Sequence, residues 1–188
     1  LRLKASKPVV ASIGTRGASG GYYIAVASNF IYAQPYSQVG SVGAWTTLPT
    51  PEKVGEDVMT TGPFKSTGGS RRKAMGDLEG LRREFVTAVK SQRGDKLKLS
   101  DEELSRAEVY NGVEGLKHGL IDDIGTKTIA IEKAAKLARI RHYGVTDINE
   151  ELDIWRPYYW PLSLSSVKDL KSQASLMPIY YYLYFECE

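Results

Sequence analysis

The chain holds a single cysteine, only two histidines and no strong excess of either charge. Cys187 stands next to last, so there is no internal disulfide framework, and the redox compartment stays open. His118 and His142 show no acidic partner in an evident triad arrangement, although spacing alone does not exclude one. A net charge of +3, from 25 basic and 22 acidic residues, is too slight to argue for a nucleic-acid partner. Arg71-Arg72-Lys73 and Arg82-Arg83 read as solvated faces. No apolar run reaches the roughly 18 residues that a membrane-spanning helix needs. The start at Leu1 has no signal-peptide pattern, so any membrane anchor is expected outside this chain. Asp122 and Asp123 have no His or Cys beside them and read as solvated turn residues, so no metal is expected. Gly14-Thr15-Arg16-Gly17 lacks the Gly-x-Gly-x-x-Gly pattern of a dinucleotide site, and no cofactor is expected.

What is present is the stretch Gly17-Ala18-Ser19-Gly20-Gly21-Tyr22-Tyr23. It follows Lys7-Pro8-Val9-Val10-Ala11-Ser12-Ile13, which reads as a buried strand, and precedes a helix expected over 19–28. A serine at a strand-to-helix turn, ringed by glycines, is placed as a nucleophile would be. The glycines let a substrate backbone come close, and the helix start aims unpaired N–H groups where an oxyanion would form. Such a serine needs a base. With histidine scarce, Lys65 in Thr61-Gly62-Pro63-Phe64-Lys65-Ser66-Thr67-Gly68-Gly69-Ser70 is the second candidate. Its Phe and Pro neighbours could partly desolvate it, and burial favours the neutral amine that a base requires. The bland alternative is a solvated loop lysine. Ser12 and Ser28 read as buried or capping serines, and of Tyr22 and Tyr23 one is expected in the core and one at a groove.

A length of 188 residues with 42% hydrophobic and 25% charged content is ordinary for one globular domain. Phe30–Ala33 reads as a short strand, and Gln38–Trp45 as a turn and strand; Val54–Thr60 is ambiguous. Asp77–Lys90 reads as a helix capped by Asp77 and ended by Gly94, with Leu78, Leu81, Phe85 and Val89 on one face. Ser100 and Glu103 form a capping-box pattern. Val113–His118 reads as a helical turn stopped by Gly119, followed by a strand Leu120-Ile121-Asp122. Thr128–Arg139 reads as a helix with Ile131, Ala134, Ala135 and Ala138 inward. Strands alternating with helices make an α/β domain.

The order of these motifs resembles a known family. Lys7 to Gly14, Ala18-Ser19-Gly20-Gly21-Tyr22-Tyr23-Ile24-Ala25, Val39-Gly40-Ser41-Val42-Gly43, Lys65, Ser70-Arg71, Val109-Tyr110-Asn111-Gly112, Gly119-Leu120-Ile121-Asp122 and Ile124-Gly125 are together similar to serine–lysine dyad peptidases of the S49 family, of the signal peptide peptidase A type. The resemblance covers roughly residues 7–140. It implies the ClpP/crotonase-type superfold with strand–strand–helix repeats, although no internal sequence repeat shows this independently. It implies Ser19 as nucleophile, Lys65 as general base, Ser41 as the serine that holds the lysine amine, and the Gly20 N–H as one oxyanion donor. It further implies peptide substrates, such as remnant signal peptides or other extended apolar peptides. A homo-oligomer is expected, membrane-associated through a segment absent here, with its active domain outside the cytoplasm.

The sequence departs from the family pattern upstream of the nucleophile strand, where the glycine-rich turn that carries the second oxyanion donor is missing. The first strands of the fold are expected to be missing with it. The Ser41–Lys65 segment is short, and Ser66 stands where the family often has an acid. Residues 1–140 are read as the later portion of the peptidase domain and 141–188 as an aromatic, proline-punctuated arm. The arm holds Trp155, Trp160 and seven tyrosines. It reads first as a cover over the domain surface, then as an oligomer contact, a membrane-interface belt or a strand in a peptide groove. Two rival functions remain on the residues: a crotonase-type acyl-CoA enzyme, and a silent scaffold.

Overall fold

The computed structural model describes residues 2–47, 61–65 and 68–148. The ambiguous stretch over 54–60 and the readings of the arm beyond residue 148 lie outside the described residues.

Two short strands, a tight turn and a helix form the first unit: β1 (Val10–Ile13), β2 (Arg16–Ala18) and α2 (Gly20–Ala25), preceded by a single turn α1 (Arg2–Ser6). The next unit repeats the order with β3 (Phe30–Ala33), β4 (Gln38–Gly40) and α3 (Arg71–Arg93). After a 3-10 turn at Gly94–Lys96 come α4 (Asp101–Ser105), β5 (Val109–Tyr110), α5 (Gly112–Lys117), β6 (Asp123–Ile124) and α6 (Lys127–Ala138). Strands β1, β3 and β6 form one sheet, in the order β1-β3-β6 and parallel throughout. Strands β2, β4 and β5 form another, parallel between β2 and β4 and antiparallel between β4 and β5. The first two units thus form a strand–strand–helix repeat. The sequence conceals it because the repeat lies in backbone pairing rather than in residue identity.

The core lies between these layers. Ile13, Tyr22, Val26, Ile31, Val39, Val42, Phe85, Val89, Leu104, Leu120 and Ile121 are buried in one cluster. Tyr22 is wholly buried, while Tyr23 is partly exposed and meets Phe85 edge-on at 5.0 Å.

Several local expectations are corrected. β2 falls where a turn was read, because three residues with two small side chains give no apolar alternation. α3 begins six residues before Asp77: Ser70 accepts from the Lys73 N–H, and Asp77 instead pairs with Lys73 at 2.7 Å one turn away. Of its expected inward stripe, Phe85 and Val89 are buried but Leu81 is 55% exposed. No side chain of Arg71–Glu84 is buried. Periodicity names the apolar face of a helix, not whether a neighbour covers it. The strand expected at Leu120–Asp122 forms at Asp123–Ile124. Ser12 is exposed, whereas Ser28 is buried and donates to the Ala25 and Phe30 carbonyls.

Asp122 is the largest correction. It is not a solvated turn residue: its side chain is 4% exposed, beside the equally buried Arg93 at 2.9 Å. Lys96 approaches it at 2.6 Å, and the Ile31 N–H donates to it at 2.8 Å. Burial pushes its carboxyl upward, but the bonds from Arg93 and Lys96 outweigh this and hold it below the usual carboxylate range. Asp123 is exposed, and no metal-binding cluster occurs among the described residues. The capping box at Ser100 and Glu103 forms as read, and an unread second one joins Asn111 to Glu114. Gly119, with φ 75°, ends α5 where a β-carbon would lie 1.7 Å from the Lys96 carbonyl oxygen.

Candidate active site

Ser19 is the single residue between the end of β2 and the start of α2, and its backbone bears the cost of the change in direction. Its φ of 54° and ψ of −126° fall where residues with side chains rarely lie. Such strain costs about 1–3 kcal/mol and persists only when the surroundings enforce it. Here the Ser19 N–H donates to the Gly40 carbonyl at 2.8 Å, and the Ser19 carbonyl accepts from Tyr23 at 2.9 Å. The side chain gains nothing locally in return. A serine at a helix start ordinarily has extended backbone and caps the first turn with its oxygen. Ser70 and Ser100 do so, at φ −76° and −67°. Ser19 makes no side-chain capping bond, so its hydroxyl is withheld from the helix it begins. Strained strand-to-helix turns are one of the places where folds present a serine hydroxyl for chemistry.

Ser41 is its neighbour by construction of the sheet. β2 and β4 run parallel with Ala18 opposite Gly40, so the next residues on each strand, Ser19 and Ser41, leave the sheet side by side. Adjacent strands lie about 4.8 Å apart. Ser41 has the same unusual hand, with φ 53°, and its N–H donates to the Glu108 carbonyl at 2.7 Å. Gly40 is required between them: at φ 85° a β-carbon would meet that carbonyl oxygen at 2.9 Å. Both serines are half-buried at the carboxyl ends of parallel strands, where α/β folds place ligands.

Gly20 opens α2, and the amides of a first helical turn have no partner within the helix. Its N–H lies directly after Ser19 in the chain. Lys65 stands on a turn closed by the bond from its own N–H to the Gly62 carbonyl, 3.2 Å, and its side chain is exposed. The partial desolvation expected from Phe64 and Pro63 is not provided, since Phe64 is itself 51% exposed. Among the described residues no hydrogen bond joins Lys65 to Ser19 or Ser41. The structure thus brings Ser19, Gly20 and Ser41 together and leaves Lys65 on a separate turn.

The His118 ring packs against Tyr110 at 4.8 Å and has no hydrogen bond to either serine. An open depression of about 470 Å³ near the end of α6, lined by Glu132, Lys136, Arg139, Arg141 and Tyr143, includes none of these residues. No helix among the described residues is long and apolar enough to cross a membrane.

The model of Peptidase family S49 matches residues 2–141, most of the chain. The chain belongs to peptidase family S49. This S49 chain is 30% identical over 162 residues to Protease 4 of Salmonella typhi, covering 78% of this chain and 26% of that protein. It is 30% identical over 156 residues to the chloroplastic serine protease SPPA of Arabidopsis thaliana, covering 73% and 22%. A putative protease SohB of Buchnera aphidicola is 30% identical over 151 residues, covering 73% and 41%. The S49 chain thus spans about a quarter of the first two relatives and less than half of the third. Among solved structures, a 1510-N membrane-bound stomatin-specific protease in complex with a substrate peptide is 16% identical, with a TM-score of 0.42 over 68% of this chain and 52% of that one.

Proposed function

We propose that this S49 chain carries the nucleophile and base of a serine endopeptidase of the signal peptide peptidase A type. The observation that carries the reading is the Ser19 turn: a strained backbone that withholds the hydroxyl from capping and sets it beside the Gly20 N–H. The Ser19 Oγ attacks a peptide carbonyl while the neutral Lys65 amine takes its proton. The lysine ammonium then gives that proton to the departing amine, and the acyl group remains on Ser19 until water removes it. The Gly20 N–H is one of the donors that hold the oxyanion. Loss of one such donor typically costs about 100–1000-fold in rate. Ser41, beside Ser19 on the neighbouring strand, receives the Lys65 amine when the turn at 61–65 folds toward it.

Family membership supports a serine peptidase over the acyl-CoA reading. The substrates are extended apolar peptides, remnant signal peptides among them, met at a membrane by an oligomer. Residues 1–140 form the peptidase portion and 141–188 the arm. A silent scaffold is the alternative, and the exposed position of Lys65 favours it if no substrate or partner covers that turn.

Intact mass after treatment with a peptidyl fluorophosphonate at about pH 8.5 decides between them, because a lysine base works only unprotonated. The expected result is one adduct on the wild type, none on Ser19→Ala, and labelling about 100-fold slower or less on Lys65→Ala. No adduct on a folded wild-type chain, or an adduct that survives Ser19→Ala, overturns the peptidase reading.

A further inference from the structure

A strained turn needs an anchor, and α2 is too short to supply one. It has six residues, and isolated helices of that length do not persist in water. The anchor is Tyr22, three residues after Ser19 and one turn along the same helix. Its ring is wholly buried, and its hydroxyl donates to the Leu120 carbonyl at 2.7 Å, across 98 residues of chain. The segment that receives this bond is itself fixed from two sides. Arg93 of α3 donates through Nε to the Gly119 carbonyl at 2.7 Å and pairs with Asp122 at 2.9 and 3.1 Å. Ile31 of β3 donates to Asp122 and accepts from its N–H at 2.9 Å. Gly119–Asp122 is therefore a rigid bracket, held at its first residue by α3 and at its last by β3 and α3 together.

We infer that the Tyr22 hydroxyl is a positioning group for the site: through the Leu120 carbonyl it fixes the rotation of α2 about its axis, and so the direction of the Ser19 hydroxyl and the Gly20 N–H. Packing of Tyr22, Ala25 and Val26 buries one face of the helix, and the hydroxyl bond adds the directional contact on that face. On the other side Tyr23 is only edge-packed on Phe85, and Ile24 is 57% exposed. Phenylalanine at position 22 keeps the ring volume but leaves the Leu120 carbonyl without its donor, and a buried acceptor so orphaned draws the backbone toward another partner. A displacement of the turn by a fraction of an ångström is enough to matter, since misplacement near 1 Å can cost about 100-fold in rate. The inference rests on the peptidase reading for its effect on rate, but its structural half stands without it.

The test uses Tyr22→Phe in the full 188-residue chain, with Leu104→Val as a control that also loosens the core. Two quantities are read: the rate of fluorophosphonate labelling across pH, and amide hydrogen exchange at Tyr23, whose N–H donates to the Ser19 carbonyl. For Tyr22→Phe the labelling rate is expected to fall about 10- to 100-fold with the shape of its pH profile unchanged, because the base is untouched. Tyr23 exchange should quicken about tenfold more than exchange at the core amides of Val86 and Val89. Leu104→Val should change neither the labelling rate nor the exchange ratio. Labelling of Tyr22→Phe at the wild-type rate overturns the inference, as does Tyr23 exchange that quickens no more than the core. If the wild type takes no label, the peptidase reading fails, and the exchange ratio alone decides whether Tyr22 holds the turn.

Discussion

Among the described residues, the serine and asparagine helix starts are of two kinds. At Ser70, Ser100 and Asn111 the backbone is extended, and the side chain accepts from an amide of the first turn. At Ser19 the residue type and the position are the same, but the backbone is turned to positive φ and the side chain makes no cap. The first kind lowers the free energy of a helix. The second raises it and leaves a half-buried hydroxyl uncommitted beside the first amides of the helix. Capping falls to the serines with extended backbone, and the backbone angle decides whether a serine hydroxyl caps its own helix.

Substitution at the two kinds of start should give mirrored results. Ser19→Ala should abolish labelling, by about 10⁴-fold or more for a true nucleophile, with no loss of stability from a missing cap. Intact mass and urea unfolding on the same preparation check both halves.

The next largest effect lies at the bracket that opposes the strain. Asp122→Ala strands the buried Arg93 and should cost about 3–5 kcal/mol in urea unfolding. The folded carboxyl of Asp122 is lowered from its unfolded value, so its contribution is complete above the unfolded pKa of about 3.9. That contribution is lost as pH falls through the lower folded value. The urea midpoints of wild type and Asp122→Asn should therefore converge below about pH 4. Midpoints that stay apart into strong acid would remove the ion pair from the account.

Asn111→Ala should cost about 1 kcal/mol through its cap and leave the labelling rate unchanged. Last, Ser19→Gly should leave stability unchanged or raise it by up to about 1 kcal/mol, since glycine adopts positive φ without strain. The same change at Ser100 should lower stability by a few tenths, at about 0.3 kcal/mol. Equal responses at 19 and 100, measured by thermal unfolding, would erase the distinction between the two kinds of start.

The readable parts of the molecule are those whose cause is local. The capping box at Ser100, the stop at Gly94, the short strand Phe30–Ala33 and the helix over 127–138 each depend on residues a few positions apart. The glycine-flanked serine was legible for the same reason. The early start of α3 escaped because Ser70 carries no neighbouring apolar repeat to mark it. β2 escaped because Arg16-Gly17-Ala18 is a strand only through its pairing with β4. Asp122 was misread because its partner Arg93 lies 29 residues away, and adjacent acids without a visible partner look solvated.

The sequence by itself determined the family, the α/β class, the candidate nucleophile and the glycines that let backbone approach it. These follow from residue types at short range: glycine tolerates what other residues do not, and apolar spacing selects helix or strand. Only the tertiary structure decided that Ser19 and Ser41 leave adjacent strands together, and that the Ser19 hydroxyl is withheld from its own helix. It alone set the Arg93–Asp122 pair and the Tyr22 hydroxyl behind the turn. Positive φ at a serine is unfavourable on its own. It exists here because hydrogen bonds from distant parts of the chain enforce it, and no local pattern of residues records such bonds.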